Sequence, residues 1–198
     1  MERSIFNRIT PIVLILFTSL FANQDLQGQD IYEIDGSHTS LVFAISHFNL
    51  SYTYGRFNKV TGNFNIDGGL ANKFNFEIDA ASIDTNVAER DKHLRGPDFF
   101  NVEEFPKITF ESTEIEREEG VYQVRGKMTM RGQTKDVTIP IRLVGIGRGP
   151  FGKERAGFFA KFELKRSDFG MDSMLSSIGN KIAVTFSFEG IRTKSSSD

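Results

Sequence analysis

The sequence predicts an all-β fold, arranged as one eight-stranded antiparallel barrel. Eight segments alternate apolar and polar residues, which is the pattern of strands with one buried face. Polar turns join them as consecutive hairpins, and only five of the 198 residues are Pro. Such strands can close into a barrel or stack as a sandwich, and long alternation with successive hairpins favours the barrel. An eight-stranded barrel has room for its own packed side chains or for one small ligand, and the pattern does not distinguish these.

The alternation assigns inward-facing residues strand by strand. Leu41, Phe43, Ile45 and His47 share one face of an early strand. The later apolar faces are, in chain order, Phe64 and Ile66; Phe74, Phe76 and Ile78; Ile108 and Phe110; Tyr122, Val124, Met128 and Met130; Val137, Ile139, Ile141 and Leu143; Phe158, Ala160, Phe162 and Leu164; and Ile182, Val184, Phe186 and Phe188.

Residues 86–104 interrupt this alternation. The charged segment 88–95 is compatible with a short helix, and Phe99, Phe100 and Phe105 follow it. An insert of this length in an all-β chain usually covers a functional surface. We therefore expect a helical insert whose Phe side chains lie beneath it, inside the barrel. A second short helix is predicted near residues 172–178.

The chain ends are predicted to lie outside the barrel domain, which we assign to residues 31–192. Residues 9–22 form a 14-residue, mostly apolar segment behind Arg3 and Arg8. This length suits a secretory signal peptide of residues 1–22, with cleavage after Ala22 or nearer Gly28, better than a membrane anchor. We expect an exported protein, periplasmic or secreted. Residues 193–198 are polar and are predicted to be a disordered tail.

Composition excludes several classes of site. The chain has no Cys, so disulfides, thiol nucleophiles and Cys-based metal sites are absent. Its formal net charge is −2, and it has no basic run that would suit a nucleic acid. The three histidines lack metal-ligand spacing, so no metal and no cofactor are expected.

Phenylalanine is unusually frequent, because the chain has 20 Phe and no Trp, and 17 of the 20 lie beyond the predicted signal peptide. These side chains could simply fill the core, or they could line a cavity for an apolar guest. For the second case, the predicted lining is Phe43, Ile45, Phe57, Phe64, Phe76, Ile78, Phe110, Tyr122, Met128, Phe162 and Phe186. His47, which shares the inward face, and His93, in the insert, are candidate contacts for a polar head group.

Arg90 and Asp91 allow three interpretations. Adjacent residues of opposite charge commonly anchor a helix to a domain, so we favour a structural pair. Contacts to a ligand at a cavity entrance, or catalysis together with His93, are the alternatives. No GxSxG nucleophile motif is present.

Several dispersed motifs resemble the YceI-like family. They are Tyr32 to Phe43, Tyr54 to Phe57, the insert residues Arg90-Asp91, His93-Leu94 and Asp98-Phe99-Phe100, Phe105-Pro106, Gly126 to Gly132, and Arg166 to Gly170. Met128 stands where the family usually has Leu. The resemblance implies a lipocalin-like barrel in an exported bacterial protein that holds a polyisoprenoid or an isoprenoid-quinone-type lipid.

The leading hypothesis is a non-enzymatic carrier of such a lipid. One alternative is a structural or interaction module whose barrel is filled by its own side chains. The other is an enzyme acting on a lipid-like substrate through Arg90, Asp91 and His93. No nucleic-acid partner and no membrane span after signal removal are expected. A homodimer through an exposed strand edge is conceivable, although nothing in the sequence requires it.

Overall fold

The structure, a computed structural model, describes residues 29–149 and 151–194. The predicted signal peptide, and the predicted tail beyond residue 194, lie outside these residues. The strands are β1 (Asp30–Ile34), β2 (Ser40–His47), β3 (Ser51–Phe57), β4 (Val60–Asp67), β5 (Leu70–Asp79), β6 (Ile83–Asp84), β7 (Lys107–Glu118), β8 (Val121–Met130), β9 (Gln133–Arg148), β10 (Glu154–Lys165) and β11 (Ile178–Lys194). The helix α1 spans Ala88–Arg95, and 3₁₀ turns span Gly36–His38, Ala80–Ser82 and Arg166–Phe169.

Eight of these strands form a closed barrel in which every pairing is antiparallel. The ring runs β1–β4–β5–β7–β8–β9–β10–β11, and β11 then pairs with β1. The predicted eight-stranded antiparallel barrel is confirmed. Closure pairs the backbone groups of every strand in the ring, so the ring itself has no free edge.

The other three strands extend one end of the ring. β1 and β2 pair with successive parts of β11: Ile34 lies opposite Gly190, and Ser40 lies opposite Ser187. Beyond β2 the sheet continues to β3 and then to the two-residue strand β6. At this end the sheet therefore extends beyond the closed ring, and α1 is the next element after β6.

The opposite end of the barrel is filled by aromatic rings, and we call it the solid half. Phe64 lies at its centre, with ring centroids 5.1 Å from Tyr32 and 5.0 Å from Phe158. Phe158 in turn lies 5.4 Å from Phe188. Gly190 gives the Phe64 ring its space, because a Cβ atom there would overlap the ring. These side chains are almost completely buried, so this half has a close-packed core.

Two local predictions are wrong. Residues 173–177 form hydrogen-bonded turns rather than the helix predicted near 172–178, and the 3₁₀ turn Arg166–Phe169 precedes them. Met174 has φ 57°, a left-handed value that interrupts any helix. The tail prediction also began too early, because β11 continues to Lys194. The predicted insert helix near 86–104 is α1, and residues 96–104 continue as turns.

Candidate functional site

The end of the barrel that carries β2, β3, β6 and α1 encloses a cavity, and we call this end the hollow half. The cavity has a volume of about 440 Å³. Ligand pockets in proteins typically measure about 300–1,000 Å³. The space is therefore large enough for one small apolar guest.

The cavity wall is predominantly hydrocarbon. Nineteen of the 27 lining side chains are apolar. They are Leu41, Phe43, Ile45, Phe57, Ile78, Ile83, Leu94, Phe99, Phe100, Ile108, Met128, Met130, Phe162, Leu164, Met171, Met174, Ile178, Ile182 and Val184. Several inward-facing members, including Phe43, Phe162 and Ile182, are only half-buried although they lie inside the barrel. Their exposed surface faces the cavity, so apolar surface remains there for a guest to cover.

Arg166 lies in the cavity wall as a buried cation. It is 2% exposed, and its guanidinium donates four hydrogen bonds to the backbone carbonyls of Gly179, Met171, Ser173 and Ile178, at 2.7–3.0 Å. Burial lowers the pKa of Arg166, and the nearby charge of Asp172 opposes this shift. Since its donors are directed at backbone oxygens, Arg166 holds residues 171–179 in place as one side of the cavity.

Thr85, the residue after β6, receives hydrogen bonds from two side chains of α1. The Asp91 carboxylate accepts hydrogen bonds from the Thr85 N–H at 2.8 Å and from the Thr85 hydroxyl at 2.5 Å. Arg90 donates from Nε to the Thr85 hydroxyl and from Nη2 to the Thr85 carbonyl, both at 2.7 Å. Asp91 and Thr85 are buried. Arg90 and Asp91 thus act together on Thr85, in the geometry of a structural clamp.

Two further arginines hold the insert against the barrel. Arg95 donates to the carbonyls of Ala81 and Ile83, at 2.8 and 2.7 Å. Arg131 donates to the Pro97 carbonyl at 2.7 Å and also to the Gly170 carbonyl, so it joins the insert to the turn after β10. The insert is consequently a fixed side wall of the cavity.

Phe99 and Phe100 are the apolar part of this wall. Both are buried and line the cavity, and the Phe100 ring lies edge-on to Phe57 at 5.6 Å. Phe105 does not join them. It lies against Gly132 and is outside the lining.

The two histidines proposed for head-group contact both line the cavity near its mouth. His47 is exposed, and its ring lies 4.6 Å from that of Phe48. His93 is also exposed and lies 3.3 Å from the Asp98 carboxylate, while its ring meets that of Phe99 edge-on. Polar groups are thus concentrated at the mouth, together with Glu89 and Arg90.

The predicted lining set divides into two groups along the barrel. Phe43, Ile45, Phe57, Ile78, Met128 and Phe162 line the cavity. The other five, Phe64, Phe76, Phe110, Tyr122 and Phe186, lie outside the lining and are buried in the packed core. For these five residues the predicted lining role is wrong, because contacts between aromatic rings occupy the space in which a guest was expected.

Several lining residues were absent from the predicted set although the pattern contained them. Leu164 shares the face of Phe162, and Ile182 and Val184 share the face of Phe186, so the same alternation could have selected them. Arg166 and Met171 lie outside the strands and carried no such signal.

Among residues 29–149 and 151–194, no group of three or more acidic or His side chains is arranged to hold a metal ion. Within the same residues, no helix has both the length and the hydropathy needed to cross a bilayer.

Comparisons with known proteins agree with this geometry. A family model described as YceI-like domain matches residues 32–190. A UPF0312 protein of Yersinia pestis (strain Pestoides F) is 42% identical over 167 residues, which cover 82% of this chain and 87% of that protein. The solved structure of BcnA from Burkholderia cenocepacia superposes with a TM-score of 0.71 at 23% identity, covering 79% of this chain and 98% of the other. A polyisoprenoid binding domain from Saccharophagus degradans superposes with a TM-score of 0.63 at 14% identity, covering 81% and 98%.

Proposed function

The chain belongs to the YceI-like family, and from this premise we propose that it is a non-enzymatic protein that binds a polyisoprenoid, or another amphiphilic lipid, in its apolar cavity. The observation that carries the proposal is the cavity of about 440 Å³ inside the hollow half of the barrel. A barrel that served only as a module would be expected to be filled at both ends. The Saccharophagus degradans neighbour, described as a polyisoprenoid binding domain, supports the choice of ligand class.

The chemistry of the wall suits a hydrocarbon chain. Burial of apolar surface contributes about 25 cal/mol per Å². A lipid tail that buries several hundred Å² would thus gain on the order of ten kcal/mol, before the entropic costs of binding reduce it. Apolar contact is non-directional, so cavity size rather than hydrogen bonding would select the length of the tail.

The polar groups are distributed as an amphiphile requires. His47, Glu89, Arg90 and His93 lie at the mouth, where they could contact a head group while the tail lies between Phe43 and Phe162. The donors of Arg90 and the carboxylate of Asp91 are directed at Thr85. This engagement argues for anchoring rather than for turnover of a substrate, and a non-enzymatic role needs no further group or cofactor.

Export and transport are part of the same proposal. Export rests on the apolar segment 9–22, which has the length of a secretory signal. In this proposal the protein works in the periplasm or outside the cell, where a water-insoluble lipid needs a protein to cross aqueous space. Fractionation of the host cell, with the N-terminus determined by mass spectrometry, tests this part.

The binding test starts from protein purified without detergent. Native mass spectrometry should find a bound lipid, and extraction into organic solvent should identify it. Added farnesol and longer polyprenols should bind to the emptied protein. Repeated absence of any lipid, together with no binding of added polyprenols, would contradict the proposal.

A variant that fills the cavity, compared with a control on the same strand, tests where the ligand binds. Ile182→Trp adds bulk on the inward face of β11, and Ser187→Trp adds the same side chain on the outward face of the same strand. We expect Ile182→Trp to lose most polyprenol binding and Ser187→Trp to keep it. Equal loss in both variants would place the ligand outside the cavity.

A further inference from the structure

Two neighbouring turns at the mouth of the cavity expose large apolar side chains. Phe48 and Leu50, on the turn between β2 and β3, are 55% and 88% exposed. Met174 and Leu175, on the turn before β11, are 50% and 44% exposed. We call these four residues the rim. The Phe48 N–H donates to the Ser177 carbonyl at 2.7 Å, so the two turns are held side by side.

The backbone of the rim is unusual for the side chains it carries. Seven non-Gly residues among those the structure describes have positive φ, and five of them are Asn, Glu or Arg. The other two are Phe48 and Met174, at φ 49° and 57°. Left-handed backbone is unfavourable for bulky side chains, and such strain is retained mainly at functional positions. Here it leaves about half of the Phe48 and Met174 side chains exposed at the surface.

The rim is continuous with the interior of the cavity. Met174 is both half-exposed and part of the cavity lining. His47, also in the lining, stacks edge-on against Phe48. A lipid that leaves the cavity on this side would meet apolar surface from Met174 outward.

The two segments of chain that carry the rim contain no charged residue, and the charged groups at the mouth, Glu89 and Arg90, lie on α1. A quarter of all residues are charged, yet residues 36–55 and 173–180 contain no Asp, Glu, Lys or Arg. Tyr52 and Tyr54, on the outward face of β3, are 67% and 65% exposed. Charged side chains are costly in a bilayer, whereas Tyr favours the boundary between lipid and water. The composition therefore matches a membrane surface.

We propose that the rim docks on a lipid bilayer, with Phe48, Leu50 and Met174 inserted among the lipids, so that the cavity opens directly onto the membrane. This inference rests on the proposed function, because it describes how a lipid enters the cavity. The four side chains expose roughly 400–500 Å² of apolar surface, less than the about 800 Å² per partner of a stable protein interface. Protruding tips also need no shape-complementary partner in a fluid bilayer. A bilayer is consequently a better match than a second copy of this chain.

The test uses the absence of Trp from the chain, which makes one introduced Trp a reporter without background. Phe48→Trp reports on the rim. Phe151→Trp is the matched control, because Phe151 is 94% exposed on the β9–β10 connection, at the opposite end of the barrel. With vesicles of phosphatidylethanolamine and phosphatidylglycerol, we expect a blue-shifted emission for Phe48→Trp only. No shift at Phe48→Trp, or equal shifts at both positions, would overturn the docking proposal.

A second pair of variants measures affinity and exchange. Phe48→Asn with Leu50→Gln removes two rim side chains, and Leu70→Gln with Phe151→Asn removes one Leu and one Phe from the other end. All proteins are used after their mass verifies that the apolar segment 9–22 has been cleaved. The rim variant should partition onto the vesicles at least about tenfold more weakly than the control variant, since a buried Phe or Leu is worth about that factor or more. Equal partition of the two variants overturns the proposal.

The route of lipid delivery separates this proposal from the binding function. Geranylgeraniol added from ethanol reaches the cavity without a membrane, and the rim variant should load it as fully as the wild type does. Geranylgeraniol held in vesicles should load at least about tenfold more slowly into the rim variant. If the wild type binds vesicles but loads by neither route, the binding function fails and the docking stands. If the wild type is a dimer that the rim variant converts to monomer, the rim is an interface between copies, and the docking proposal fails.

Discussion

The solid half and the hollow half of the barrel share long strands such as β11, and each half receives different side chains from them. β11 contributes Phe188 and Phe186 to the solid half, at 1% and 6% exposure. It contributes Val184 and then the half-buried Ile182 to the hollow half. Along one strand, aromatic residues give way to smaller aliphatic residues as the wall moves away from the core. Closure of the ring leaves no space around Phe64, whereas the extension of the sheet through β2, β3 and β6 leaves space that α1 borders without filling.

The difference teaches that a close-packed core and an open apolar cavity can be separated within one barrel. The interlocked rings of the solid half bury most of their surface and have no room to adjust. The hollow half keeps apolar surface uncovered and depends on polar anchors, such as Thr85 with Asp91, to hold its wall. Four measurements can break or sharpen this comparison.

The largest effect is expected from truncating a ring in each half. Phe158→Ala should lower the free energy of unfolding by about 3–5 kcal/mol, because it leaves a cavity among side chains that cannot collapse. Phe162→Ala, two positions along the same inward face of β10, should cost about half as much or less, because its side chain already faces open space. Chemical denaturation measures both. Equal losses would mean that the two halves are packed alike.

The anchor of the hollow half gives the next effect. Asp91→Ala should lower the free energy of unfolding by about 1–3 kcal/mol, because the Thr85 N–H and hydroxyl lose a buried acceptor. Asp98→Ala, on the same insert, should change it by less than about 1 kcal/mol, because its contact with His93 is solvent-exposed. Hydrogen exchange should show faster opening of α1 in Asp91→Ala alone. An equally stable Asp91→Ala protein would remove the anchoring role.

A larger side chain should destabilise the solid half and should be tolerated in the hollow half. Ile141→Trp, at a position that is 0% exposed, should destabilise the protein by about 1–3 kcal/mol through overpacking. Ile182→Trp should be close to neutral, because the cavity receives the ring. Thermal unfolding of the ligand-free proteins compares them. Strong destabilisation by Ile182→Trp would indicate that the cavity collapses when it is empty.

The smallest effects should come from pH, through two groups on the solid half. Hydrogen bonds from Ser37, His38 and Arg155 hold the pKa of Asp35 well below its ordinary 3.8. A carboxyl with a lowered folded-state pKa stabilises the protein above the unfolded value, and this contribution is lost as the pH falls below about 4. Burial, together with the hydrogen bond to Glu154, raises the pKa of Tyr32 above its ordinary 10.0. Its contribution is therefore present below pH 10 and is lost as the pH rises further.

Denaturation at a series of pH values tests both directions. Asp35→Asn should flatten the loss of stability on the acid side, and Tyr32→Phe should flatten it on the alkaline side. Unchanged pH profiles in these variants would show that the two groups do not carry the dependence.

The prediction of the fold rested on alternation, and alternation is a local property. A period of two residues places Phe43 and Phe64 alike on the inward side, and both lie inside the barrel. The helix α1 can be predicted in the same way, because its charged segment departs from the two-residue period. Residues 173–177 form turns rather than the predicted helix, and the Arg166 side chain, from outside this segment, binds the Ser173 carbonyl and the carbonyls on either side of it. Such a contact leaves no trace in local propensity.

What the sequence by itself determined is which side chains point inward, that an insert interrupts the strands, and that the interior is apolar. Only the tertiary structure decided where along the barrel those side chains lie. Phe64 and Phe43 have the same pattern, yet one stands at the centre of a packed core and the other borders a cavity. The physical reason is that position along the barrel depends on register and closure between strands distant in sequence, where β1 meets both β4 and β11. A repeat of two residues specifies a face of the sheet and contains nothing about that position.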